Sequence, residues 1–224
     1  MKFIYSNKQE GYSDETKIIT NYYNKHLLLH TGCRMWKKMK LEDAPVYVQA
    51  VLDARYKADY SAYMEYKECT EEEPAQIHEQ GMNALLNTIK IGTTSVSSEL
   101  KDQYRQLFEN FNSLCKYTIG TAEKDGDGFT VEVSAQPFTM FNDISENLVN
   151  ALQTEEFLAL TTDDKIHQYL YEQMYDLISP KVSSPEYGEP GTITLHIQPN
   201  ANKIYTISEE DLNALDAMIY ASLL

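Results

Sequence analysis

The chain has 224 residues, enough for one sizeable hydrophobic core or two small ones, and 42% of them are hydrophobic, which excludes disorder throughout. No apolar run approaches the roughly 18 residues that span a bilayer, and the longest near the N-terminus is Leu27-Leu28-Leu29. Nineteen Lys and Arg against 34 Asp and Glu leave a net charge of −15, a surface that repels phosphate backbones, so nucleic acid is not an expected partner.

The charge is uneven. Residues 1–40 hold eight Lys and Arg against Glu10, Asp14 and Glu15, a balance of +5, which leaves −20 for residues 41–224. The composition predicts a basic N-terminal arm, 1–40, with little hydrophobic periodicity, followed by a single acidic domain, 41–224. In the arm, Leu27 to Cys33 ends in Thr31-Gly32-Cys33, like the tail of a bacterial lipoprotein signal, which makes Cys33 the candidate lipidation site. Three leucines fall short of the roughly 7–15-residue apolar region of such a signal, so the residues alone leave a cytoplasmic location open. Cys33, Cys69 and Cys115 are too few for a disulfide scaffold and share no metal-ligand spacing.

From Leu41 onward, Pro45 suits a first helical turn, and Val48, Val51, Leu52 and Tyr56 make one apolar stripe. Lys57-Ala58-Asp59 predicts a stop and restart, with Asp59 capping a short helix that carries Tyr60, Tyr63 and Met64. Thr70-Glu71-Glu72-Glu73 has the form of a capping box, opening a helix through Ile77, Leu85 and Ile89 to a stop near Gly92. Ser97 starts the next helix, whose stripe of Leu100, Tyr104, Leu107, Phe108, Phe111, Leu114 and Cys115 is the cleanest helical period in the chain.

After Lys116 the period falls to two. Tyr117 and Ile119, then Phe129, Val131 and Val133, alternate with polar residues around a glycine turn and predict a hairpin with one solvated face. Helices return with Ile144, Leu148 and Leu152, and again from Thr161-Thr162-Asp163-Asp164 through Ile166, Tyr169, Leu170, Met174 and Leu177 to Pro180. Ile193, Leu195 and Ile197 with Tyr205 and Ile207 form a second hairpin, and Ser208 with Asp211 opens a last helix through Leu212, Leu215 and Ile219. The fold class is α+β: several N-terminal helices, then two β-hairpins in an antiparallel sheet, interleaved with helices and covered on one face.

No catalytic signature emerges, and no cofactor is implied. Asp125-Gly126-Asp127-Gly128 resembles part of an EF-hand loop, but Glu123 stands where the first ligand belongs and Ser134 where the bidentate Glu belongs, so a hairpin turn is expected. His26, His30, His78, His167 and His196 form no zinc pair, and Asp164 with His167 at i and i+3 has no second such unit for a di-iron site. Cys115 ends an apolar stripe at a helix C-terminus, the place of a buried thiol and not of a thiolate. There is no Gly-x-Ser-x-Gly, phosphate loop or dinucleotide fingerprint.

The stretches Tyr47-Val48-Gln49-Ala50-Val51-Leu52-Asp53-Ala54 with Tyr56-Lys57-Ala58-Asp59-Tyr60, Tyr117-Thr118-Ile119-Gly120, Pro185-Glu186-Tyr187-Gly188-Glu189-Pro190 and Ser208-Glu209-Glu210-Asp211-Leu212-Asn213 follow one another in an order that resembles a family of uncharacterised candidate lipoproteins on the surface of Gram-positive bacteria. These stretches span most of residues 44–220. The resemblance implies an extracytoplasmic domain tethered through a lipidated cysteine, here Cys33, and a linker, with no activity assigned to the family. The expected function is therefore a non-enzymatic cell-envelope module that binds a protein, peptide or small ligand. The alternative is an enzyme whose site is assembled from scattered carboxylates and tyrosines, for which a deep polar pocket would speak.

Overall fold

The computed structural model describes residues 38–223; the basic arm up to residue 37, with Cys33, lies outside the described residues. Met39 is already buried in the core, two residues before Leu41. The described elements are helices α1 (Asp43–Lys57), α2 (Ser61–Lys67), α3 (Glu72–Thr88) and α4 (Ser98–Ser113), strands β1 (Tyr117–Asp125) and β2 (Gly128–Ala135), helices α5 (Ile144–Ala151), α6 (Glu155–Leu158) and α7 (Asp163–Ile178), a 3₁₀ turn (Ser179–Ser183), strands β3 (Gly191–Pro199) and β4 (Tyr205–Ile207), and helix α8 (Glu209–Ile219). This is the α+β order read from the sequence, with α6 added.

The four strands form one antiparallel sheet in the order β1-β2-β3-β4, so α5 to α7 make an excursion between two neighbouring strands. Alternation places Phe129, Val131, Val133, Leu195 and Ile197 on the buried face and Thr118, Glu132, Thr192, Thr194 and His196 in solvent. Helices α1 and α8 pack on the buried face, and α3 and α4 pack behind them. In the β1–β2 turn the positive φ, 56°, falls on Gly126, where a side chain would be disfavoured. A bulge between Ile119 and Ala122 interrupts the pairing of β1, an edge strand, and makes it a poorer template for another chain.

Caps follow the local chemistry with one correction. Ala58 ends α1 at φ 50°, and the Asp59 carboxylate accepts from the Ser61 N–H (3.1 Å) and hydroxyl (2.5 Å), the restart its position predicts. Ser97 and Ser208 hydroxyls accept from the N–H groups of Leu100 and Asp211 and open α4 and α8. The capping box at Thr70 does not form: Glu71 is the N-cap without a side-chain bond, and the Glu73 carboxylate accepts instead from the Tyr63 hydroxyl at 2.7 Å. Tyr63 is buried, and leaving its hydroxyl without an acceptor would cost more than a solvated cap. Helix α3 stops near Gly92 as expected, with the left-handed backbone falling on Lys90, φ 63°. Pro180, which lacks the N–H to continue α7, sits in the 3₁₀ turn.

An aromatic cluster fills the centre. Phe108, Phe111, Phe138, Phe141 and Tyr220 are each at most 1% exposed, with neighbouring ring centroids 5.2–6.5 Å apart. It joins α4, the segment after β2 and the end of α8, and the Phe138 N–H donates to the Ile219 carbonyl at 2.8 Å.

Candidate functional site

Among the described residues, two places gather polar side chains. The first is interior. Arg55 lies on the buried stripe of α1, one turn beyond Val51, and Asp216 lies on the stripe of α8, one turn beyond Leu212. The sheet brings these helices together, and Arg55 donates to Asp216 through Nη2 (2.5 Å) and Nε (3.3 Å) while the Tyr56 hydroxyl donates to the same carboxylate at 2.5 Å. Arg55 is 1% exposed, and a Cβ on Gly81 of α3 would come within 2.9 Å of its Cγ, so that glycine makes room for the buried side chain. His78 Nδ1 lies 3.0 Å from the Arg55 carbonyl, and Arg55 Nη1 is buried without a hydrogen-bond partner among the described residues.

The cluster extends sideways. The Tyr220 hydroxyl donates to Asn112 Oδ1 at 2.6 Å, and the Cys115 thiol faces the Phe111 carbonyl one helical turn back at 3.8 Å. Nearer the surface, the Asp53 carboxylate takes bonds from Tyr117 (2.7 Å), Lys57 (2.8 Å) and Gln49 (2.7 Å). Burial pushes the Asp53 carboxyl up, and these donors outweigh it, holding it below its ordinary value. Burial raises the Tyr56, Tyr117 and Tyr220 hydroxyls, which therefore serve as neutral donors, and raises the Cys115 thiol, which stays protonated. Burial acts against the Arg55 charge, but Asp216 overrides it and raises the guanidinium further. Scattered carboxylates and tyrosines do converge here, at a seam between helices and sheet.

The second place is an open groove of about 440 Å³ where the loop before α4 meets α6 and α7. Ser95, Val96 and Ser97 form one wall, and Gln168 ties it to α7 by accepting from the Ser97 N–H at 2.8 Å and donating to Ser97 Oγ at 3.3 Å. Val96, Leu160 and Tyr169 supply apolar surface; Glu156, Asp164 and Glu172 supply carboxylates, against Lys165 as the one cation of the lining among the described residues. Glu156 and Asp164 stand in the first turns of α6 and α7, where the helix dipole favours negative charge. Deeper bonds anchor α7: the Tyr104 hydroxyl donates to the Tyr171 carbonyl (2.7 Å), and the Tyr171 hydroxyl to the Ile89 carbonyl (2.8 Å).

The sequence-derived candidates disperse. Asp125 and Asp127 stand at a hairpin turn, where Asp125 accepts from Gln198 at 2.8 Å. Asp164 lines the groove, and His167, next to Gln168 on α7, is half-buried. His196 binds Asp211 through its backbone N–H (2.7 Å) and ring Nδ1 (3.1 Å), tying β3 to the start of α8. Among the described residues no three His, Cys, Asp or Glu side chains come together as a metal-ligand set, and no helix is long and apolar enough to cross a membrane. Sequence reasoning missed Arg55, Asp216 and the groove. A signal for the first two was present: one charge of each sign sits on an otherwise apolar helical stripe.

No family model matches the chain, and no curated protein matches it. Among solved structures, the crystal structure of a Bacillus subtilis protein described as "a putative lipoprotein (ycdA)" matches with a TM-score of 0.51 at 12% identity, over 80% of this chain and 56% of that one. The likeness is one of fold, and this chain corresponds to little more than half of that protein's length.

Proposed function

We propose that this chain is a non-enzymatic binding module displayed outside the cytoplasmic membrane, held by a lipid on Cys33, with the groove between α6, α7 and the loop before α4 as its ligand site. The observation that carries the binding half is the groove itself: open to solvent, braced by the Ser97–Gln168 bonds, and offering apolar and charged surface side by side. Support for the location comes from the fold shared with a protein described as "a putative lipoprotein" and from Thr31-Gly32-Cys33. The test uses the full chain in a Gram-positive host fed an alkyne fatty acid. Label on the membrane-bound protein, lost in Cys33→Ser, is the expected result; unlabelled protein in the cytosol would refute the anchor. For the groove, envelope-derived peptides and glycans are screened by amide chemical shifts, and the expected ligand moves Val96 and Gln168 but fails to do so in Leu160→Arg.

The enzyme reading has one specific observation in its favour, the Asp53–Tyr117 hydrogen bond near the surface. Tyr117→Phe separates the two: a binding module loses stability and keeps its ligand, whereas an enzyme using this pair loses turnover.

A further inference from the structure

We infer that the groove takes a cationic, amphipathic peptide segment, an inference that rests on its being the ligand site. The excursion between β2 and β3, residues 143–178, carries eight carboxylates against Lys165 alone, a net charge of −7 in a sixth of the chain. The helix dipoles explain where Glu156 and Asp164 sit; they do not explain why almost no cation stands among the acids. The same region leaves apolar side chains in water: Leu158 is 72% exposed, immediately after the half-buried Phe157 that packs on Tyr169, and Leu160, two residues on, lines the groove. Tyr169 itself lines the groove and anchors its wall through the Thr154 hydroxyl at 3.1 Å.

Apolar positions flanked by one sign of charge select a partner that is apolar along one stripe and positive beside it. A second copy of the chain docking through the same excursion would set −7 against −7, and anionic lipid or nucleic acid would meet the same repulsion. A small inorganic cation would leave Leu158 and Leu160 unused. A helical or extended segment with lysines or arginines beside leucines uses both features, placing cations near Glu156, Asp164 and Glu172 and an apolar side chain against Leu160.

The test is fluorescence anisotropy of a dye-labelled amphipathic leucine–lysine peptide with the full chain, near physiological ionic strength so that long-range attraction is screened. Comparison peptides replace the lysines by glutamates or the leucines by serines. Wild type should bind the leucine–lysine peptide, and neither comparison peptide should match it. Glu156→Gln with Asp164→Asn and Glu172→Gln should weaken binding by about tenfold or more, and Leu158→Ser by several-fold. A distant set of equal charge, Glu123→Gln with Glu132→Gln and Glu186→Gln, should leave it within about twofold. Circular dichroism confirms that both sets are folded. Equal weakening by the two sets would overturn the inference, because the peptide would then be held by the overall charge of the chain. No binding of the leucine–lysine peptide, with groove amides moved by a neutral or acidic probe, would overturn the partner class and leave the ligand site standing. Groove amides that no probe moves would refute the underlying site.

Discussion

Helix α1 and the α5–α6 stretch stand at opposite ends of the burial range. In α1, nine of 15 residues are buried, including Arg55; in α5 only Ile144 is buried, and in α6 none is. Both stretches carry apolar residues at helical spacing, so pattern alone does not separate them. The difference is what lies opposite. Helix α1 faces the sheet on one side and α3 and α4 on the other, whereas α5 packs mainly on α7. Apolar surface that the fold leaves uncovered, as at Leu158, is the part of the molecule available to a partner.

The largest test of that contrast removes a carboxylate from each region. Asp216→Ala leaves the buried Arg55 guanidinium uncompensated and should lower unfolding stability by about 3–5 kcal/mol in urea denaturation. Glu156→Ala, at an exposed groove position, should change it by no more than about 0.5 kcal/mol. Similar losses at both sites would erase the distinction. Native-state hydrogen exchange should agree, with α5 and α6 amides exchanging well before those of α1 and β2.

Alkaline titration sharpens the comparison for the packed region. Burial raises the Tyr47, Tyr56, Tyr63, Tyr104, Tyr117 and Tyr220 hydroxyls above their ordinary value of 10.0. The unfolded chain releases these protons near pH 10 while the folded one keeps them. Stability from these groups is therefore complete below about pH 10 and is lost as pH rises through the folded-state values. Tyrosinate absorbance should rise in one step together with loss of the circular dichroism signal; a gradual rise in folded protein would show that the tyrosines are not sealed.

Smaller effects follow at single sites. Cys115→Ala should cost on the order of 1 kcal/mol through lost packing, and Cys115 should react slowly with thiol reagents in native protein, since it is 5% exposed and its thiol is held protonated. Rapid native labelling would contradict both. Calcium at millimolar concentration should leave the melting temperature unchanged, because Gly126 and Asp127 form a turn whose neighbour Asp125 is engaged by Gln198. A rise abolished by Asp127→Asn would overturn the turn reading.

Local chemistry accounts for most of the elements. The stripe of Leu100, Tyr104, Leu107, Phe108 and Phe111 reads as a helix and is one, and the alternation of Phe129, Val131 and Val133 reads as a strand half in water and is one. Caps at Ser97 and Ser208 depend on a hydroxyl and an N–H three residues apart, so they too are visible in order. The short α6 was missed although Thr154 caps it in the same way, its hydroxyl accepting from the Phe157 N–H at 3.3 Å.

Periodicity and capping are properties of a few consecutive residues, and the chain by itself determined them: the α+β order, the two hairpins, the turn at Gly126 and the wet face of the sheet. The tertiary structure decided which residues meet across long separations. Glu73 was taken from its cap by the buried Tyr63 hydroxyl, Arg55 found Asp216 at a separation of 161 positions, and the groove arose where residues 95–97 meet α6 and α7. Such pairings depend on desolvation and on the free-energy cost of an unmade bond, and that cost exists only once water has been excluded by the assembled layers.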